Sequence, residues 1–129
     1  MPATALLLIA HGSRHAEAND DLHHLATELR RRGQAVVEAA FLELADPGID
    51  TAAERCVAQG GEVVVLVPYF LSAGVHVRRD LTAAQERLAQ RFPGVRFLLA
   101  EPLGRHPLLL DVVADRVSQA LLTSDSASG

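Results

Sequence analysis

Hydrophobic and polar positions along the chain form four units, each an apolar run followed by a stretch with apolar residues at helical spacing. Short apolar runs bounded by turn residues indicate buried strands, and a repeat of three to four residues indicates amphipathic helices. Gly33, Gly60 and the Pro93-Gly94 pair fall where the first three helices should stop. The pattern predicts strands at about 4–10, 35–42, 62–70 and 95–100, and helices at about 15–32, 49–59, 77–92 and 107–122.

Strands that alternate with helices predict an α/β fold in which right-handed crossovers build a parallel sheet. We expect a single small doubly wound domain over residues 1–129, with four strands in the order 2-1-3-4 and helices on both faces. The third strand has the richest β-branched content, so it should be central and buried on both faces. The core should span about 4–122, and the polar tail 123–129 should be frayed.

Each predicted helix carries an apolar face, and the last one presents such a face too. Its members are Leu110, Val113, Ala114, Val117 and Leu121. The corresponding faces of the first three helices are Leu22, Leu25, Ala26 and Leu29; Ile49, Ala52, Ala53, Cys56 and Val57; and Val77, Leu81, Ala84 and Leu88. Each spacing places its residues on one side of a helix.

Composition and charge narrow the function classes. The formal net charge is −4 and aromatic residues make up 4% of the chain, which disfavours nucleic-acid partners. No apolar run approaches the roughly 20 residues that a membrane-spanning helix needs, so we expect no membrane association. A single cysteine, Cys56, excludes an internal disulfide and suits the cytoplasm; its place on an apolar stripe predicts a core position.

Three side chains able to bind a metal follow three successive strands. His11 comes after the first strand, Glu43 ends the second, and His76 follows the third by a few residues. Each residue alone has a plainer interpretation, as a turn or solvated residue. Ligands bind outside the carboxyl ends of parallel strands, and neighbouring strands lie about 4.8 Å apart, so the three could converge on one ion. Two imidazoles and a carboxylate suit cobalt, nickel, iron or zinc.

Glycines and arginines near these positions suggest an anionic ligand. Gly12 permits a close approach of the backbone beside His11, and Gly74 does the same before His76. Arg14, Arg78 and Arg79 lie along the same rim, and guanidinium groups bind carboxylates in pairs of hydrogen bonds. For Arg78 and Arg79 a merely solvated position is an equally good interpretation.

Two other enzyme classes fit less well. A histidine phosphatase has an arginine directly before its nucleophilic histidine, whereas Ala10 precedes His11 here. A serine hydrolase acting through Ser13 lacks the G-x-S-x-G motif. Neither a dinucleotide fingerprint nor a P-loop is present.

Four segments together resemble the short-form sirohydrochlorin cobaltochelatases, which are class II tetrapyrrole chelatases. They are LLLIAHGSRHAEAN, VEAAFLELADPGI, VVVLVPYFLSAGVHVRRDL and LAEPLGRHPLLLDVV, in the order and spacing of that family over residues 6–117. The resemblance implies a chelatase-like fold and the insertion of a divalent metal into sirohydrochlorin. It favours cobalt and leaves nickel and iron open, and it implies no permanently bound cofactor.

The resemblance also assigns site residues and partners. It implies that His11, His76 and Glu43 bind the metal and carry the catalysis. The implied substrate-binding residues are Ser13, Arg14, Ala45, Leu71, Ser72, Ala73, Gly74, Val75, His76 and Arg78. Longer relatives hold two such domains in one chain, so a short form should pair two copies into a homodimer. A carrier of tetrapyrrole or metal that keeps the pocket without turnover is the main alternative.

Overall fold

Four parallel strands form one sheet with the order β2-β1-β3-β4, as predicted. In the computed structural model, which describes the backbone of residues 3–128 and the side chains of residues 3–124, the strands are β1 (Thr4–Ala10), β2 (Val36–Phe41), β3 (Val63–Pro68) and β4 (Arg96–Leu99). The helices are α1 (Ala16–Arg31), α2 (Ile49–Ala58), α3 (Val75–Arg91) and α4 (Leu108–Ser128). The α/β class and the strand order are confirmed.

Strand β1 lies between β2 and β3 and divides its side chains between two apolar layers. Ala5, Leu7 and Ile9 point to the layer that α2 and α3 cover, where all three are fully buried. Leu8 points to the opposite layer, which α1 covers with Leu22 and Ala26. Successive side chains of a strand face opposite sides of the sheet, so a strand with helices on both faces needs apolar residues throughout.

The predicted apolar faces of α1, α2 and α3 pack as expected. Leu22 and Ala26 of α1 are buried, as are Cys56 of α2 and Leu81 and Leu88 of α3. Gly33 follows α1 with a φ of 101°, a backbone conformation that a side chain would strain. Helical periodicity therefore identified both the helices and their packed sides.

The apolar face of α4 does not pack against the sheet of its own chain. The helix itself forms and continues beyond the predicted end at residue 122, but apart from Leu109 each of its described side chains is exposed. Leu110 is 75% exposed and Val117 52% exposed. Periodicity reports which side of a helix is apolar, whereas the connection before α4 carries the helix away from its own sheet.

The third strand is consequently less buried than predicted. Val65 and Val67 of β3 are only partly buried, and Leu98 of β4, the register partner of Val65, is 39% exposed. All three point to the face that α1 covers, but α1 packs over β1 and β2 and leaves the β3–β4 half of that face open. We call Val65, Val67 and Leu98 the open sheet face.

Within residues 3–128, no helix combines the length and the apolar character required to cross a bilayer. Assignment of residues 1–129 to one domain remains a prediction, as does fraying of the tail; Gly129 lies outside the described residues.

Candidate active site

The ends of β1 and β2 are joined by backbone hydrogen bonds that continue past the strands. The Leu42 N–H donates to the Ala10 carbonyl at 3.0 Å, and the Glu43 N–H donates to the His11 carbonyl at 3.0 Å. His11 and Glu43 are thus neighbours at the carboxyl edge of the sheet, where open α/β sheets bind ligands. Their backbones form a fixed pair while both side chains are exposed.

Gly12 makes this pairing possible. Its φ is 97°, and a Cβ atom built at this position would lie 1.8 Å from the Glu43 carbonyl oxygen. A side chain is therefore excluded on steric grounds as well as by the backbone conformation. The expected close backbone approach beside His11 is present, and the approaching group is the peptide of Glu43.

His11 and Glu43 line one open cavity of about 400 Å³ at this edge. The His11 ring also packs against Phe70, with ring centroids 4.5 Å apart and planes inclined by 30°. Asp80 and Arg87 of α3 reach the same cavity. The Arg87 guanidinium donates to both carboxylate oxygens of Asp50, at 3.2 and 3.1 Å, so its charge is already paired.

Sequence reasoning missed Asp80 as a member of this cavity. Asp80 lies three residues after Val77 and four before Ala84, which line the same cavity, and these spacings place side chains on one side of a helix. Those spacings were the available signal. With Glu43 and Asp80 in its wall the cavity has two carboxylates, which favours a cationic occupant.

His76 lies apart from this cavity. It is the second residue of α3 and is exposed, and the residue after it, Val77, lines the cavity in its place. No three His, Cys, Asp or Glu side chains in the described part of the chain are grouped closely enough to hold a metal ion. The structure brings His11 together with Glu43 but does not bring His76 into one three-ligand group with them.

The loop between β1 and α1 is held by Asn19, a second residue that sequence reasoning missed. The Ser13 N–H donates to Asn19 Oδ1 at 2.9 Å, and Asn19 Nδ2 donates to the Ser13 carbonyl at 2.8 Å. The Ser13 hydroxyl also accepts a hydrogen bond from the His15 N–H at 3.1 Å. These contacts fix the segment that carries His11.

Ser13, Arg14 and Ala45 line a second cavity, of about 310 Å³, on the α1 side of the same edge. All three were expected to contact substrate. Leu44 also lines this cavity, is 53% exposed, and has a φ of 64°. A left-handed conformation at a leucine is rare and marks a backbone held in place by its surroundings.

Leu71, Ser72 and Arg78 line a third cavity, of about 550 Å³, between the loops that follow β3 and β4. Arg105 joins them, and sequence reasoning did not single it out. Ala73 lines a smaller cavity of about 80 Å³ that also touches Arg78.

Gly74 and Val75 stand at the exposed start of α3, where no atom comes within 4 Å of a Cβ built on Gly74. The chain itself therefore does not require a glycine at this position, unlike at Gly12. We expected a close approach of the backbone at Gly74. No described part of the chain comes close to this glycine.

An ion pair forms one wall of the 550 Å³ cavity. Arg78 Nη1 lies 3.5 Å from Glu101 Oε2, and both side chains are more than half exposed, so solvent screens the pair and a ligand carboxylate can compete for Arg78. The two loops are also tied together, because the Leu103 N–H donates to the Phe70 carbonyl at 3.0 Å.

Cys56 takes no part in these cavities. It is fully buried in the core, as predicted, and burial, followed by the negative charge of Glu38, raises the pKa of its thiol to about 12. A thiol with this pKa remains protonated near neutral pH and is a poor nucleophile and metal ligand. His23 and His24 of α1 are exposed, and His106 stands just before α4, where its Nδ1 accepts a hydrogen bond from the Leu108 N–H at 3.2 Å.

Comparison with known proteins gives consistent matches. The chain is 39% identical over 120 residues to the chloroplastic sirohydrochlorin ferrochelatase of Arabidopsis thaliana, covering 92% of this chain and 53% of that protein. It is 33% identical over 116 residues to the sirohydrochlorin cobaltochelatase of Sulfolobus acidocaldarius, covering 90% and 91%. The chain therefore spans about half the length of the first relative and nearly all of the second.

A solved structure confirms the fold. The crystal structure of a CbiX protein from Marinobacter aquaeolei VT8 superposes with a TM-score of 0.81 at 37% identity, covering 93% of this chain and 98% of that one. The model of the CbiX family matches residues 5–120, which include every strand except the first residue of β1 and all of α1, α2 and α3. The chain belongs to the CbiX family.

Proposed function

We propose that this protein inserts a divalent metal ion into sirohydrochlorin. The observation that carries the proposal is the pairing of His11 with Glu43 in one open cavity at the carboxyl edge of the sheet. Relatives named sirohydrochlorin chelatases, one of them similar along nearly its whole length, support the same reaction. The metal is a substrate here, and the proposal includes no permanently bound cofactor.

The reaction requires a base beside a metal ion. A free-base tetrapyrrole loses two pyrrole protons as it takes up M²⁺, so the products are the metal complex and two protons. A neutral imidazole can accept a proton or bind a metal, and a carboxylate can do either. In this proposal His11 and Glu43 share these roles, Asp80 adds negative charge to the cavity, and His76 approaches the substrate from the start of α3.

Arginines on either side of this cavity supply partners for the carboxylates of the substrate. Arg14 lines the 310 Å³ cavity with Ser13 and Ala45, and Arg78 lines the 550 Å³ cavity with Leu71 and Ser72. In this proposal a broad, flat anion rests across the edge, with Ala73, Gly74 and Val75 beneath it. The open space beside Gly74 supports this arrangement.

Cobalt is the metal we propose first. The relative matched along nearly its full length is named a cobaltochelatase, whereas the ferrochelatase is matched over about half of its length. Imidazole and carboxylate ligands suit Co²⁺, Ni²⁺ and Fe²⁺ alike, so the site chemistry leaves the latter two as alternatives.

The proposal includes a homodimer in the cytoplasm. One domain offers its site on an open edge, and a second copy would supply the other wall around a flat macrocycle. A single cysteine, kept as a buried thiol, is consistent with a reducing compartment.

The test mixes purified protein with sirohydrochlorin and Co²⁺, Ni²⁺ or Fe²⁺ in turn and follows the absorbance of the macrocycle. We expect an insertion rate well above the spontaneous rate, and greatest with Co²⁺. The matched control is His24→Ala, which removes an exposed histidine of α1 and should insert metal at the wild-type rate. Binding of sirohydrochlorin without acceleration by any of the three metals would instead identify a carrier.

A further inference from the structure

We propose that α4 of one copy packs on the open sheet face of a second copy, and that the two copies exchange these helices reciprocally. The inference rests on the paired state proposed above and not on the metal-insertion reaction. It explains together two apolar surfaces that a lone chain would leave in water.

The first surface is the apolar face of α4. Leu110, Val113, Val117 and Leu121 occupy one side of the helix and are all more than half exposed. The other side carries Asp111, Asp115, Ser118 and Gln119 together with the exposed Val112 and Leu122. An amphipathic helix of this kind gains its stability by burying its apolar side against another element.

The second surface is the open sheet face formed by Val65, Val67 and Leu98. It lies beside α1, and a sheet face of this kind in an α/β fold is normally covered by a helix. The chain therefore contains both an apolar helix side that lacks a sheet and an apolar sheet face that lacks a helix.

The connection before α4 explains why the helix does not cover its own sheet. The Leu103 N–H is bonded to the Phe70 carbonyl, and a Cβ built on Gly104 would lie 2.0 Å from the Leu71 carbonyl oxygen. Arg105 follows with a φ of 65°, and His106 accepts a hydrogen bond at the start of the helix. These contacts fix the direction in which α4 leaves the carboxyl edge of the sheet.

The exposed area is large enough for a stable dimer. The chain exposes 8604 Å², whereas a compact monomer of 13.8 kDa exposes about 6,600 Å². The excess of roughly 2,000 Å² per chain exceeds the approximately 800 Å² per partner buried in an ordinary stable interface. A reciprocal exchange buries two helix–sheet contacts, one in each direction, and so draws on this exposed area in both chains.

A membrane surface is a poorer occupant for the same helix. Helices that lie on membranes are rich in Lys and Arg on their polar side. Leu108–Ser128 contains one arginine, Arg116, and no lysine, while Asp111 and Asp115 lie on its polar side. Electrostatic attraction to anionic lipids is therefore absent, and a second copy is favoured.

The exchange has a consequence for the candidate active site. Helix α4 departs from the carboxyl edge that carries His11 and Glu43, so a partner seated on α4 approaches from that side of the sheet. The candidate active sites of the two copies then belong to one dimer. A substrate cleft built from two copies requires this.

The first arm of the test compares Val117→Glu with Ser118→Glu. Both changes add one carboxylate at neighbouring exposed positions of α4, but Val117 is on the apolar side and Ser118 on the polar side. Light scattering should give about twice the 13.8 kDa chain mass for wild type and Ser118→Glu, and the single-chain mass for Val117→Glu. Circular dichroism should lose at most the helical signal of α4, because Val117 is not buried against its own chain and the sheet with α1, α2 and α3 does not depend on it.

The second arm identifies the occupant of the open sheet face. Leu98→Cys and Val117→Cys are combined in one chain and treated with a flexible bis-maleimide at pH 7. We expect a covalent dimer on a denaturing gel, whereas a link within one chain would mean that α4 folds back on its own sheet and would overturn the proposal. Wild type is the control, because its buried Cys56 thiol should not react.

The outcomes separate the exchange from the rest of the proposed function. If Val117→Glu remains a dimer, the exchange is wrong and the paired state stands on another surface. If wild type is a monomer that still inserts metal, both the exchange and the paired state are wrong while the reaction stands. If wild type sediments with phosphatidylcholine vesicles and is otherwise monomeric, the helix binds membranes and the exchange is wrong.

Discussion

His11 is held by its backbone and by its ring. Its carbonyl accepts the Glu43 N–H at 3.0 Å, and its ring lies against Phe70. Both contacts leave the imidazole edge free to face the open cavity that it shares with Glu43. A side chain that is exposed but restrained in this way is pre-organised to meet a substrate.

Replacement of His11 by alanine should remove most of the chelatase activity and little of the stability. Loss of a general base typically lowers rates by about 10²–10⁴-fold, whereas loss of an aromatic contact costs about 0.5–1.5 kcal/mol. His76→Ala should have a comparable effect, and the double variant should fall short of the product of the two losses, because in the proposed function both histidines act on the same substrate. Initial insertion rates and thermal midpoints of the three variants test this, with His24→Ala as control. Near-normal rates in His11→Ala would make this histidine a turn residue.

Gly12→Ala should disrupt both the fold at the carboxyl edge and the activity. The new methyl group would collide with the Glu43 carbonyl oxygen, so the backbones of His11 and Glu43 must separate. The matched control is Gly33→Ala: Gly33 also has a positive φ, of 101°, but nothing lies within 4 Å of its Cβ position.

Gly33→Ala should therefore show only the conformational cost, about 1–3 kcal/mol, and retain its activity. Gly12→Ala should lose more stability than this and should be inactive in addition. Urea unfolding and insertion rates measure the two effects. Equal stability losses in the two variants would show that the collision is relieved without moving Glu43.

At the level of elements, the sequence was sufficient for the strands, the helices and their order. The apolar stretches of β1 and β3 and the spacing of Leu22, Ala26, Leu81 and Leu88 determine these features locally. The position of His76 was harder to predict, because it depends on α3 beginning at Val75, two residues earlier than the apolar pattern indicated. Asn19 could not be recognised, because a polar residue on a helix carries no sign in the sequence of the loop that it binds.

Asn19 is a positioning residue for the β1–α1 loop. Asn19→Ala removes both hydrogen bonds to Ser13, which together contribute about 1–3 kcal/mol, and frees the segment that carries His11. We expect kcat to fall by about 10- to 100-fold, because small displacements of a catalytic group cost this much. Asn19→Asp keeps the acceptor for the Ser13 N–H and should recover part of kcat. If the two variants lose stability but keep full kcat, Asn19 supports only the fold.

At the level of the whole molecule, helix formation and helix packing depend on different information. The spacing of Leu110, Val113, Val117 and Leu121 is local, and it predicted an amphipathic helix correctly. Which sheet that helix covers is decided by the connection before it, where contacts of Leu103 and Gly104 with the β3–α3 loop set its direction. Such contacts join segments distant in sequence, so periodicity does not report them.

Reciprocal exchange of α4 makes the stability of the protein depend on its concentration. Unfolding then includes dissociation of the dimer, and each tenfold rise in protein concentration adds about 1.4 kcal/mol per dimer. For an assembly of this size the thermal midpoint should rise by about 2–5 °C per tenfold. Calorimetry of wild type and Ser118→Glu across a hundredfold range of concentration should show this rise, while Val117→Glu should melt at one temperature throughout. A wild-type midpoint independent of concentration would mean that α4 contributes nothing to stability by binding a second copy.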